Sequence, residues 1–249
     1  MYESIYHLGK YIQFFGLIRG FIDYIRIRMI NSEEIFINQL SQTVYLRRNT
    51  SDRILFEEII VQGEYDLQQL KNLNPLHIID IGANVGYTSI FFSNRFEDSK
   101  IIALEPDREN FSALCKNTAN RSNIIGIEGG IWNSKCKLKV VNPTASKWAI
   151  QVTESNDDKG IQAYTIPELI EDYNIPTIDI LKIDVEGTEK ILFDNQAARW
   201  LSKTKVLIIE THDRIVPGSS TPVLREISKK NFNLSVKSDF LIFTNKDLV

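Results

Sequence analysis

A chain of 249 residues, 43% of them hydrophobic, is long enough to bury one large α/β core with an extension beside it. A net charge of only −3 implies neither a polyanion partner nor a strongly acidic surface, so no nucleic-acid partner is expected. Cys115 and Cys136 are too few for a disulfide framework and too far apart for a C-x-x-C metal site; a reduced, cytoplasmic setting follows, with Cys115 a buried thiol on a helix.

Residues 1–31 are rich in Ile, Phe, Leu and Tyr, with Lys10, Arg19, Arg26 and Arg28 among them. Their longest uncharged run, Tyr11 to Ile18, falls well short of the ~20 residues a membrane span needs. No small-residue cleavage site follows a compact apolar core, so a secretory signal is not expected. Two uses remain: helices that pack on the main domain or on a sister subunit in a homo-oligomer, and a basic amphipathic helix in peripheral contact with a membrane. Apolar residues recur around the whole helix rather than on one stripe, which favours protein contacts. Glu34 to Asn38 and Thr43 to Arg47 then pair as strands, closing an extension of helices and a hairpin over residues 1–50. The main domain covers 51–249. Thr50, Ser51 and Asp52 supply capping side chains for a helix through Ile54–Ile60, which Gly63 stops. Glu64 and Tyr65 follow, as the start of a lid over a ligand or, for Tyr65, as a packed aromatic.

The stretch from His77 to Phe92 organises everything downstream. An apolar run, His77 to Ile81, suits a strand buried on both faces. Gly82 and Gly86 turn it into a helix, bringing backbone close to a ligand at the strand's carboxyl end. A dinucleotide site would need G-x-G-x-x-G, but Asn84 stands where the middle glycine belongs. Asp80, just before the turn, would repel a pyrophosphate and suits a ligand with positive charge. The second strand, Lys100 to Pro106, carries Glu105 about 20 residues on, the place of an acid that accepts from ribose hydroxyls. Ribose recognition beside an acidic turn points to S-adenosylmethionine (SAM), whose amino group and sulfonium are cationic.

Asp107 caps the next helix, Arg108 to Asn120. Ile124 to Glu128 is the third strand, and Gly130, Ile131 and Trp132 after it are placed to receive an adenine: backbone from Gly130, apolar surface from Ile131 and Trp132. Trp132 is equally suited to plain core. A hairpin from Leu138–Val141 to Gln151–Thr153 carries Ser146, Lys147 and Trp148, which would stack on a sugar ring and hold an anionic neighbour or simply be solvated. Thr165 and Glu168 have capping-box spacing and open a helix ending near Tyr173. Ile178 to Glu189 and Val206 to His212 are two more buried strands, each ending in acids.

On these stretches the chain resembles the FkbM-type family of SAM-dependent methyltransferases. The matching segments are TSDRILFEEIIVQGEY, IIDIGANVGYTSIFF, ALEPDRENF and LKIDVEGTE, between Thr50 and Glu210, the last being the most specific. The resemblance implies an α/β, Rossmann-like SAM methyltransferase fold with a mostly parallel sheet and an antiparallel last strand. It also implies methylation of a hydroxyl, on a carbohydrate, a glycoconjugate or a secondary metabolite, without identifying the acceptor. Consistent with that ending, Thr211 to Thr221 forms a rim loop and Val223 to Lys230 a helix with Thr221 as cap and Pro222 in its first turn. Phe232–Val236 and Phe240–Thr244 then close the sheet as a hairpin turning at Ser238-Asp239.

A sugar hydroxyl is a weak acid, so methyl transfer needs a base or a cation beside it. The candidates are Asp184, Glu186, Glu210 and His212, all at strand ends. Alternation puts Asp184 with Glu186, and Glu210 with His212, on shared sides if the strands stay extended. Neutral His212 is the preferred base, and Glu186 is the fallback. Asp184 is also a candidate contact to the methionine portion of SAM. A divalent ion, Mg²⁺ or Mn²⁺, on Asp184 and Glu210 is the alternative, not favoured because nothing in the spacing demands it. Lys182 and Glu189 read as structural. Two competitors stand: a nicotinamide-dependent sugar oxidoreductase, since Glu105 would hold an NAD ribose, and a non-catalytic scaffold that keeps the pocket. The missing glycine counts against the first, and the retained Asp80, Gly82, Gly86 and Glu105 count against the second.

Overall fold

The computed structural model describes residues 2–29, 32–142, 150–194 and 196–249. Helices α1 (Tyr2–Phe15) and α2 (Leu17–Tyr24) precede an antiparallel pair, β1 (Glu34–Ile37) and β2 (Gln42–Tyr45). One face of this extension is buried: Tyr11, Phe15, Ile27, Ile35 and Val44 share a core cluster with Ile78 and Ile101 of the main sheet. The opposite face leaves Ile5, Leu17, Ile18 and Phe21 exposed, so the apolar residues divide between a packed stripe and an open one. No helix among the described residues is long and apolar enough to cross a membrane. Helix α3 (Asp52–Phe56) continues as a π-helical turn to Val61 and stops at Gly63.

The main sheet starts from runs of branched apolar residues in β3 (His77–Ile81), β4 (Lys100–Glu105) and β5 (Ile124–Glu128), joined by the helices α4 (Tyr87–Arg95) and α5 (Arg108–Thr118). After β5, the short strand β6 (Gly130–Ile131) joins β7 (Lys137–Val140), β8 (Val152–Ser155) and β9 (Ile161–Tyr164) in a separate sheet of order β6-β9-β7-β8. The hairpin expected near 138–153 is thus half of a larger platform, while Ser146, Lys147 and Trp148 lie outside the described residues. Helix α6 (Ile166–Asp172) opens on the capping box of Thr165 and Glu168. The remaining elements are β10 (Ile178–Ile183), α7 (Glu189–Leu192), α8 (Ala197–Leu201), β11 (Thr204–Glu210), α9 (Ser220–Ser228), β12 (Phe232–Lys237) and β13 (Phe240–Asn245).

Strand order in the large sheet is β12-β13-β11-β10-β3-β4-β5, with β11, β10, β3, β4 and β5 parallel and the terminal hairpin antiparallel. This is the Rossmann-like methyltransferase architecture. Alternation sorts the strands into two cores: Ile78, Ile101, Ile180 and Val206 face one cluster, and Ile79, Ile102, Leu181 and Leu207 face the other. Because chain order reverses outward from β3, the carboxyl ends of β3 and β10 flank a switch point, where open α/β sheets bind ligands. Two local expectations shift. Cys115 is exposed on α5, not buried. Helix α9 starts at Ser220, so Thr221 lies inside its first turn instead of capping it, while Pro222 is in the first turn as expected.

Candidate functional site

A cavity of about 700 Å³ opens at that switch point, within the ~300–1,000 Å³ usual for small-molecule sites. Its floor is the turn after β3. Gly82 has φ +74°, and a Cβ there would come within 1.8 Å of the Asp184 carbonyl oxygen, so only glycine lets the β3 and β10 turns touch. Asn84 is also left-handed, at φ +50°, and its backbone N–H donates to Glu105 Oε2 at 2.8 Å.

Glu105, at the end of β4, is built to accept. Its Oε1 receives the Asp107 N–H at 3.0 Å and the Asn110 side-chain amide at 3.3 Å. A carboxylate has about four lone-pair sites, and these three donors leave about one for a guest in the cavity that Glu105 lines. Burial pushes its pKa up to about 7 despite those donors. Gly130 and Ile131 line the same end, beside Pro106 and Leu104. Asn84 Oδ1 is buried there with no hydrogen-bond partner among the described residues, an acceptor left for a ligand.

Three expected contacts are elsewhere. Asp80 is fully buried, taking the Ser89 hydroxyl at 2.6 Å and lying 3.4 Å from Lys182 Nζ. Lys182 is its direct neighbour across the β3–β10 pair, so this acid is neutralised inside the protein instead of meeting a cation from outside. Gly86, at φ +87°, turns the chain into α4 against Leu114 without lining the cavity. Trp132 points away: Ile131 is paired in β6, and alternation sends the next side chain to the other side, where its indole N–H donates to Glu154 Oε1 at 2.8 Å.

The opposite end gathers Asp184, Glu186, Glu210 and His212. The chain does not stay extended after β10; it turns at Glu186, with φ +31°, yet both acids still face the cavity. His212 Nδ1 lies 2.5 Å from Glu189 Oε1, while Nε2 lies 3.5 Å from Glu186, 3.6 Å from Glu210 and 3.7 Å from Asp184. Burial draws the His212 pKa down, but the Glu189 hydrogen bond and the Glu186 charge outweigh it and hold the imidazole up at about 9. A histidine raised in this way favours its protonated form near pH 7, which weighs against the neutral-base role expected of it. Burial raises Glu186 and Glu210 to about 7 each, with Asp184 adding to both and His212 opposing. Asp184, Glu210 and His212 each offer a ligand atom within 4.8 Å of the others, the one such group found among the described residues.

Two residues that the sequence reads as structural stand beside the site. Glu189, fully buried at the start of α7, orients His212. Lys182 bridges Asp80 and Asp184, at 3.4 and 3.6 Å, and donates to the Gly82 carbonyl at 2.7 Å. Glu64 and Tyr65 both line the cavity; burial and Glu58 raise Glu64 to about 7, and Tyr65 packs against Phe92 and Phe240 as well.

A model of the methyltransferase FkbM domain matches residues 80–234, well over half of the chain. The chain belongs to the FkbM methyltransferase family. Among curated relatives of this FkbM member, the hexuronic acid methyltransferase AglP of Haloferax volcanii is 25% identical over 167 residues, 66% of this chain and 68% of that one. Methyltransferase sdnD of Sordaria araneosa is 30% identical over 76 residues, 30% of this chain and 29% of that one. Among solved structures, a precorrin-6y C5,15-methyltransferase from Geobacter metallireducens is 14% identical, with a TM-score of 0.46 over 72% of this chain and 84% of that one. M. jannaschii TYW2 in complex with AdoMet has a TM-score of 0.41 at 11% identity, over 85% and 84% of the two chains. Both structural likenesses are distant, and the family membership stands without them.

Proposed function

We propose that this FkbM-family protein is a SAM-dependent O-methyltransferase acting on a hydroxyl of a carbohydrate or glycoconjugate. The observation that carries this reading is the two-ended cavity: a ribose-type acceptor, Glu105, at one end, and the acid–histidine cluster at the other, across the glycine turn. When bound, SAM supplies a methyl group on a sulfonium, a carbon already activated for displacement. Glu105 and the bare Oδ1 of Asn84 would hold its ribose side, and Gly130 and Ile131 its adenine. Lys182 keeps the turn closed from beneath by binding the Ile81 and Gly82 carbonyls.

The cluster end aligns the acceptor oxygen and takes its proton. Glu186 and Glu210, poised near 7, are carboxylates of suitable basicity for that step. Glu58, Glu64, Asp184, Glu186, Glu210 and Asp239 line this end against Lys182 and Arg214, so a neutral hydroxyl suits it better than an anionic group. The Haloferax relative's name supports a sugar acceptor. A hydroxyl on a secondary metabolite is the alternative and would present the same group. Family membership favours methyl transfer over the nicotinamide and scaffold readings.

The test is methyl transfer from labelled SAM to a panel of sugars and glycan precursors, with mild alkali applied to the product. An alkali-stable methyl ether is expected. Label released by alkali would mark a methyl ester, hence a carboxylate acceptor, and would overturn the hydroxyl assignment.

A further inference from the structure

The cluster carries more negative charge than the protein compensates. Four carboxylates, Asp184, Glu186, Glu189 and Glu210, surround one imidazole, and the nearby ammonium of Lys182 is already shared with Asp80. Glu186 is only 7% exposed and lines the cavity, yet its Oε2 has no hydrogen-bond partner among the described residues; nor has Oε2 of the fully buried Glu189. A bare buried carboxylate oxygen is unfavourable unless something of opposite charge meets it.

The distances say what would meet them. Separations of 3.5–3.7 Å between His212 Nε2 and the three facing carboxylates are longer than good hydrogen bonds, about 2.7–3.2 Å. They fit atoms sharing one ion, since bonds of about 2.0–2.2 Å place two ligand atoms up to about 4.4 Å apart. The imidazole is also set for the task. Glu189 accepts the Nδ1 hydrogen bond at 2.5 Å, so a cation that displaces the Nε2 proton meets a ring nitrogen already turned to the acids, the carboxylate–histidine–metal arrangement of bound-metal sites.

We infer that Asp184, Glu210 and His212 Nε2 form a divalent-cation site at the acceptor end of the cavity, with Glu186 beside it and Glu189 as the positioning residue behind the histidine. One nitrogen with two carboxylates suits a first-row transition ion such as Mn²⁺ better than Mg²⁺ or Ca²⁺, which prefer oxygen alone. Its catalytic use rests on the proposed methyl transfer: the cation would acidify the acceptor hydroxyl, whose O–H bond breaks with the proton passing to the Glu186 carboxylate.

The experiment is Mn²⁺ binding to the full, chelator-treated chain without SAM, read by loss of the free-ion electron paramagnetic resonance signal. One bound ion per chain is expected. Asp184→Asn, Glu210→Gln and His212→Ala should each abolish it while keeping the wild-type circular dichroism spectrum and cooperative thermal unfolding, which certifies their fold. Glu189→Ala should weaken Mn²⁺ about 10–100-fold, with Glu189→Gln, which still accepts from Nδ1, restoring part of the loss. The inference is overturned if the wild-type chain leaves the Mn²⁺ signal unchanged while binding S-adenosylhomocysteine, or if all three ligand variants bind Mn²⁺ as well as wild type. Mn²⁺ bound by a chain that ignores S-adenosylhomocysteine would support the site and sink the methyl-transfer reading instead.

Discussion

At the Glu105 end of the cavity one buried carboxylate receives three donors, from Asn84, Asp107 and Asn110, whereas at the His212 end four carboxylates crowd one imidazole and leave two oxygens bare. The first end is nearly complete before any ligand arrives, with Asn84 Oδ1 and about one acceptor position of Glu105 left open. Backbone amides fix its acceptor, so binding there costs little reorganisation. The second end is unfinished in charge and complete in shape, as a place that takes in something cationic or gives up protons. The contrast teaches that holding a cofactor and driving chemistry impose opposite demands on neighbouring carboxylates of one sheet edge.

If the ends are separable, variants should divide cleanly between rate and affinity. The largest effect is expected from His212→Ala, which should lower turnover by about 10²–10⁴-fold at saturating SAM. S-adenosylhomocysteine affinity, measured by calorimetry, should stay within about threefold, below the ~1 kcal/mol of one lost hydrogen bond. Glu105→Ala should do the reverse: binding weakens by about 1–3 kcal/mol, while the saturated rate barely moves. A Glu105 variant that loses rate but not affinity would erase the distinction between the ends.

A smaller effect should follow pH. The Glu105 carboxyl, ordinarily near 4.5, is raised to about 7 in the fold. Its contribution to stability is therefore full at acid pH and is lost as pH rises through about 7, the reverse of an ion-paired carboxylate. Ligand binding runs the other way, because ribose hydroxyls donate best to the ionised form. S-adenosylhomocysteine affinity should rise about five- to tenfold between about pH 6 and about pH 8 and then level off. Glu105→Gln should flatten that rise. The smallest effect belongs to Trp132→Phe: loss of the Glu154 hydrogen bond should cost about 1 kcal/mol in urea unfolding, with ligand affinity unchanged.

Much of this was legible in the chain. The runs rich in Ile, Leu and Val at His77–Ile81, Ile178–Ile183 and Val206–Ile209 declare doubly covered parallel strands, and the Gly82 turn and Glu105 are local signals close in sequence. What escaped depends on which elements become neighbours. Asp80 looked free because Lys182 is about a hundred residues away, and only the β3–β10 register sets them side by side. The partner of His212 escaped too, because Glu189 reads as an ordinary helix-start acid until α7 meets the loop after β11. Trp132 misled for another reason: β6 pairs with β9, a partner strand the sequence reading did not place.

The central claim is that the cavity holds SAM at its Glu105 end, and calorimetry of the full chain against S-adenosylhomocysteine and NAD tests it most directly. The account predicts one S-adenosylhomocysteine bound per chain, weakened in Glu105→Ala, and no heat from NAD. Binding of NAD with indifference to S-adenosylhomocysteine would contradict it.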